Sequence, residues 1–144
     1  MRRLLPALLA AALLGAAPAA DDTAELVDVV NRHRAGVGCA PLRWHEGAAR
    51  AAQAHAEDMR RRGYFDHLTP EGLRPRDRLR AAGVQVRGVT AENLVDAPFG
   101  GERLLGRWLA SPAHRENIDD CGFTHHGIGR AGDLWVHLFL TVRS

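Results

Sequence analysis

Leu26, Val29, Val30 and His33 recur at the spacing of one helix face. Asp22-Thr23-Ala24-Glu25 ahead of them reads as a capping box. A first helix is therefore expected from Thr23 to Ala35, stopping near Gly36. Gly38-Cys39-Ala40-Pro41 is a turn, and Leu42 and Trp44 are apolar anchors before the next element. Glu46 to Arg62 is Ala-rich and strongly helix-favouring. Ala48, Ala51, Ala52, His55 and Met59 form its stripe, and Gly63 stands where a C-terminal cap belongs.

Periodicity then stops. Tyr64-Phe65-Asp66-His67-Leu68-Thr69-Pro70-Glu71-Gly72 is an aromatic and polar loop, a place to look for function. Pro75 opens a third helix over Arg76 to Ala82, ended by Gly83. Val84-Gln85-Val86 alternates like a short strand, and Ala91-Glu92-Asn93-Leu94-Val95 comes after a turn. A fourth helix is expected from Gly101 to Ala110, with Leu104, Leu105 and Trp108 on its apolar face. Ser111-Pro112-Ala113-His114 restarts as a capped turn. Phe123 to Gly129 and Leu134 to Val142 read as two strands joined hairpin-fashion at Arg130-Ala131-Gly132-Asp133. Helices first, strands interspersed and a closing hairpin make this an α+β sandwich, a small sheet covered by helices.

The N-terminus changes the picture of where this domain works. Met1-Arg2-Arg3 is a basic lead, Leu4 to Leu14 is Leu and Ala apart from Pro6, and Ala17-Pro18-Ala19 fits a small-residue cleavage site. That is the pattern of a secretory signal over residues 1–20, cut near Ala19 or Ala20. The apolar run is too short to span a bilayer, and no later segment is apolar enough either. Residues 21–144, beyond the signal, are about the size of one domain and can bury their own core. The formal charge of +2 is accounted for by Arg2 and Arg3, so the exported part balances to zero. The basic composition is therefore no argument for nucleic acid.

Two cysteines are present, Cys39 and Cys121. In an exported chain an even count favours pairing; two free buried thiols are the alternative. Eight His residues are a high count for this length. His33, His45 and His55 fall at helix positions where a structural role with satisfied nitrogens is expected. His67, Glu92 and His114 stand apart from such positions, and none has a short-range metal spacing such as H-E-x-x-H.

Four segments, in order, carry a resemblance: Tyr64 to Gly72, Ala91-Glu92-Asn93-Leu94, Trp108 to Ile118, and Phe123 to Gly129. Together with Leu26 to Arg34 and Pro41-Leu42-Arg43-Trp44, they are similar to the bacterial branch of the CAP or SCP domain family over the whole of residues 21–144. The resemblance implies a three-layer α-β-α sandwich with a small, mainly antiparallel sheet and an open cleft floored by His and Glu. By that match His67 and Glu92 are cleft residues and His114 is the His of the bacterial S-P-x-H-R segment. Two imidazoles and a carboxylate with an open fourth position are a zinc-type ligand set for a divalent metal. Tyr64, Ser111 and His125 are further candidates to line the cleft, and His137 sits where a polar strand residue is common. The chain departs from the eukaryotic pattern. Trp108 is not followed by a second cleft Glu, and Asp133 or Leu134 stands where a second His is usual.

Three functions compete. The first is a secreted or periplasmic binding module, a monomer whose cleft takes a metal, a lipid or another cell-envelope ligand. The second is a metal-assisted hydrolase with Glu92 as general base. The third is a non-catalytic structural envelope protein. No nucleophile elbow or activated Cys is present to support a covalent mechanism.

Overall fold

The computed structural model describes residues 19–142. Five helices and four strands run in the order α1 (Ala19–Gly36), β1 (Arg43–Trp44), α2 (Glu46–Arg62), α3 (Pro75–Ala81), β2 (Val86–Asp96), α4 (Gly101–Leu109), α5 (Pro112–Asp119), β3 (His125–Ala131) and β4 (Leu134–Val142). The sheet order is β1-β3-β4-β2. β1 runs parallel to β3, and the β2–β4 and β3–β4 pairs are antiparallel.

Alternation along β4 divides the core between two faces. Trp135 and Phe139 pack with Leu26, Val29 and Val30 of α1, Leu104 and Trp108 of α4, and Ile118 of α5. Val136, Leu138 and Leu140 point the other way, onto Ala48, Ala52, Ala56 and Met59 of α2 and Leu79 of α3. The molecule is thus an α+β three-layer sandwich, as the pattern and the resemblance together imply.

Local details differ from the sequence reading. α1 begins at Ala19, so Asp22–Glu25 lie inside the helix and not at its cap; Ala19 and Ala20 favour helix and the acidic residues suit its positive end. The expected cleavage point falls at the start of this helix, and residues 1–18 lie outside the described residues. Val86 and Ala91–Val95 belong to one strand, not two, because β2 carries a register shift between Arg87 and Thr90 that the alternation reads as a turn. Ser111–His114 opens a full helix, α5, with Pro112 in its first turn. Among the described residues no helix is long and apolar enough to cross a membrane.

α2 approaches the sheet over two glycines. A Cβ on Gly127 would overlap the backbone of Ala48 and Ala49, and one on Gly129 the backbone of Ala52 and Gln53. Backbone cannot rotate aside as a side chain can. Gly127→Ala is expected to lose about 3 kcal/mol, the upper part of the overpacking range. Gly106→Ala, on a helix face with open space around it, should gain up to about 1 kcal/mol. Urea midpoints of the two variants check both signs.

Cys39 and Cys121 form a disulfide with their Cα atoms 4.9 Å apart, joining the turn after α1 to the approach of β3. Beside it Arg34, fully buried, donates to the carbonyls of Ala40, Ile118, Asp120 and Phe123. Bridge and guanidinium together fasten the first helix to the end of α5.

Candidate functional site

The candidate site is built at β2 from two adjacent residues that face opposite ways. Glu92 pairs in register with Leu138, so its side chain goes to the α2–α3 face; Asn93 pairs with His137 and goes to the other. Glu92 is 6% exposed. Its carboxylate is held by a fork from Arg78 of α3, with Nη1 donating to Oε2 at 2.8 Å and Nη2 to Oε1 at 3.0 Å. His67 Nδ1 lies 2.8 Å from Oε1. A buried carboxylate is tolerated when it is paired and fully hydrogen-bonded, and Arg78 and His67 meet that requirement.

The loop that presents His67 is fastened from beneath. His55 on α2 donates from Nε2 to the Asp66 carbonyl at 2.9 Å, and Arg78 Nη2 donates to the His67 carbonyl at 2.8 Å. Asp66 accepts from the Leu68 N–H and Thr69 Oγ1 from the Leu73 N–H, which close the turns on either side. The outcome is a His whose Nδ1 is fixed against a buried acid while its side chain stays 51% exposed. An imidazole held through Nδ1–H presents Nε2 outward.

On the opposite face Asn93 Nδ2 donates to the His114 carbonyl at 3.0 Å, and Asn117 Nδ2 donates to Asn93 Oδ1 at 2.8 Å. Asn93 thereby docks α5 against the edge of β2. A recess of about 420 Å³ lies between the two sides, lined by His67, Arg74, Arg76, Thr90, Glu92 and Asn117 among others.

The electrostatics arise from this packing. The hydrogen bond to Glu92 raises the His67 pKa above its ordinary value, against the pull of burial. Burial pushes the Glu92 carboxyl up, but the hydrogen bonds from His67 and Arg78 together outweigh it, and the net direction is down. The His67 pKa is raised, so its contribution to stability is present below about pH 6.5 and is lost as pH rises through the folded value. The Glu92 pKa is lowered, so its contribution is present above about pH 4.5 and is lost as pH falls through the folded value. His114 is shifted down, by burial first and then by the charge of His67.

His67 and Glu92 are therefore in direct contact, while His114 is hydrogen-bonded to neither side chain and feels His67 through its charge. Among the described residues no three His, Cys, Asp or Glu side chains are grouped to hold a metal ion. Both Glu92 oxygens are engaged by Arg78 and His67, so the zinc-type set of His67, Glu92 and His114 does not fit this geometry. The same engagement leaves the Glu92 carboxylate hydrogen-bonded at both oxygens, to His67 and Arg78. Tyr64 donates to Asp58 at 2.6 Å and lines a different recess, beside Gly63 and Asp96. Ser111 is the N-cap residue of α5. His125 is on β3, two strands from β2, where it contacts Thr124 and packs edge-on to His45; the sheet order keeps it out of this recess. His33 pairs with Asp119 at 2.6 Å, and His45 accepts the Ala48 N–H as the N-cap of α2.

Arg78 is the residue that sequence reasoning missed. The signal available was indirect: a Glu inside an apolar strand needs a cation, and the nearest arginine-rich helix begins at Pro75.

Residues 27–134 match the Cysteine-rich secretory protein family, CAP. The chain belongs to this family. Uncharacterized protein YkwD of Bacillus subtilis (strain 168) is 30% identical over 118 residues, 81% of this chain and 46% of that protein. Uncharacterized membrane protein YlbC of the same organism is 32% identical over 105 residues, 73% of this chain and 30% of that protein. The chain thus spans less than half the length of the curated relatives it matches. An extracellular protein containing a SCP domain from Bacillus anthracis superposes with a TM-score of 0.80 at 27% identity, covering 87% of this chain and 41% of that one. An outer surface protein from Borrelia burgdorferi shares the fold, with a TM-score of 0.78 at 21% identity, covering 85% of this chain and 94% of that one.

The remaining His residues of this CAP domain are in its core. His126 and His137 are fully buried, with His126 Nδ1 2.9 Å from His137 Nε2. The outer nitrogens, His126 Nε2 and His137 Nδ1, have no hydrogen-bond partner among the described residues. Burial pushes His126 down to about 4 and His137 well below its ordinary value. Both shifts are downward, so the unfolded chain binds protons first and stability falls as pH drops from about 6.5 toward 4. The fall is expected to reach roughly 3 kcal/mol for His126 alone. Urea denaturation across that window checks it, and the slope should flatten in His126→Asn/His137→Phe.

Proposed function

We propose that this CAP domain is an exported ligand-binding module whose binding site is the recess at His67. The carrying observation is the His67–Glu92–Arg78 chain: a buried, paired carboxylate fixes Nδ1 of a half-exposed imidazole and leaves Nε2 to meet a ligand. Export is supported by the leader pattern in residues 1–20, by the disulfide, and by the extracellular and surface character of the B. anthracis and B. burgdorferi neighbours.

An imidazole against a carboxylate is also the base-and-orienter pair of many hydrolases, so turnover is the second reading. Binding is favoured over it. Among the described residues no hydroxyl or thiol is hydrogen-bonded to His67, whose Nδ1 partner is the Glu92 carboxylate.

The test mixes wild-type protein and His67→Ala with soluble peptidoglycan fragments and with phosphatidylglycerol vesicles. Binding is read by co-sedimentation or NMR, and probe mass by mass spectrometry. His67-dependent binding with unchanged probe mass is the expected result. His67-dependent products would move the assignment to hydrolysis, and binding indifferent to His67 would overturn the site. Zinc titrated into chelator-treated protein is expected to show no saturable site that depends on both His67 and His114.

A further inference from the structure

The recess beside His67 carries more cationic than anionic groups on its wall. His67, Arg74 and Arg76 line it, and the acid that lines it is Glu92. Glu92 is already matched by the fork of Arg78, and the neighbouring Asp77 accepts the backbone N–H of Arg74, not its guanidinium. Among the described residues neither of these arginines forms an ion pair. In the large groove between α2 and α3 most of the arginines are paired. There Arg61 and Arg62 are paired with Asp58, and Arg62 also with Glu71.

Arg76 is also incompletely satisfied. Its Nη1 donates to the Gly88 carbonyl at 2.6 Å, which points the guanidinium along the shifted part of β2. Its Nε is buried and, like that of Arg78, has no hydrogen-bond partner among the described residues. A guanidinium carries five N–H donors in a planar fork that matches a carboxylate or phosphate edge, and one of Arg76's is spent on the Gly88 carbonyl. The charge is local, because the exported chain as a whole balances to zero.

Resting on the reading of this recess as the ligand site, we infer that it takes an oxyanion, the phosphate or carboxylate group of its ligand, held by Arg74 and Arg76 with His67 Nε2 as a further donor. The free ion and the headgroup of an anionic lipid present the same chemistry, and the experiment separates them.

The exported protein, labelled with 15N, is titrated with inorganic phosphate, with acetate, with phosphatidylglycerol vesicles and with phosphatidylcholine vesicles. Phosphate is expected to shift the resonances of His67 and Asn117 saturably. The affinity should fall about tenfold or more in Arg74→Gln/Arg76→Gln and should weaken with added salt. Arg74→Gln alone, which leaves the Arg76–Gly88 contact in place, should fall in the same direction. Vesicle binding with the same arginine dependence assigns the oxyanion to a lipid headgroup; phosphate binding without it assigns it to a soluble ligand. No shift at His67 with phosphate or acetate, or an affinity unchanged in both variants, overturns the inference. If a neutral sugar oligomer then shifts those same resonances, the recess stands as a ligand site and the oxyanion alone is refuted.

Discussion

Replacing Arg78 by Met is expected to lower stability by about 3–5 kcal/mol. Glu92 would remain in a site where its side chain is 1% exposed, keeping His67 as its one remaining partner. The loop would also lose the bond from Nη2 to the His67 carbonyl. Arg78→Lys should recover part of the loss, since an ammonium restores charge but not the two-pronged contact. The informative variant is Arg78→Met/Glu92→Leu. Removing both charges from an apolar layer is often close to neutral, so the double variant is expected to be more stable than Arg78→Met alone. A cycle built from urea midpoints would then give a large coupling between the two positions. If Arg78→Met alone falls by less than about 1 kcal/mol, the level of an exposed pair, the carboxylate is not buried as described.

The second large effect is expected from the disulfide. Cys39→Ala/Cys121→Ala opens a loop of 82 residues, worth about 4 kcal/mol of loop-closure entropy. Reduction of the wild-type protein should produce a similar loss, and the double variant should then be insensitive to reductant. Arg34 and its four carbonyl contacts remain in both cases, so the variant should still fold. Thermal melts with and without reductant read both effects.

The elements were legible where one face of a segment is apolar and the other polar. α2, α4 and the β3–β4 hairpin come directly from spacing, since burial on one side imposes that spacing. Four ordered motifs carried the family, and with it His67 and Glu92. Three things were hidden because they are set by packing at a distance. Arg78 gains its role only when α3 lies against β2. Strand alternation sends Glu92 and Asn93 to opposite faces, so that Glu92 meets Arg78 and His67 while Asn93 meets the His114 carbonyl and Asn117. His125 is a candidate cleft residue by its place in the last motif and by strand alternation, but sheet order places β3 two strands from β2. The alternation at Val84–Val86 marks the approach to β2, which starts at Val86, but not its continuity, because a register shift in an edge strand looks like a turn.

Buried Glu92 fixes His67 at the mouth of the recess and raises its pKa, and an NMR pH titration of the His67 imidazole tests this most directly. The midpoint is expected above 6.5 in the wild-type protein, with the proton retained on Nδ1, and Glu92→Gln is expected to bring it back toward the ordinary value. A midpoint at or below 6.5 that does not move in Glu92→Gln would mean that Glu92 does not govern His67.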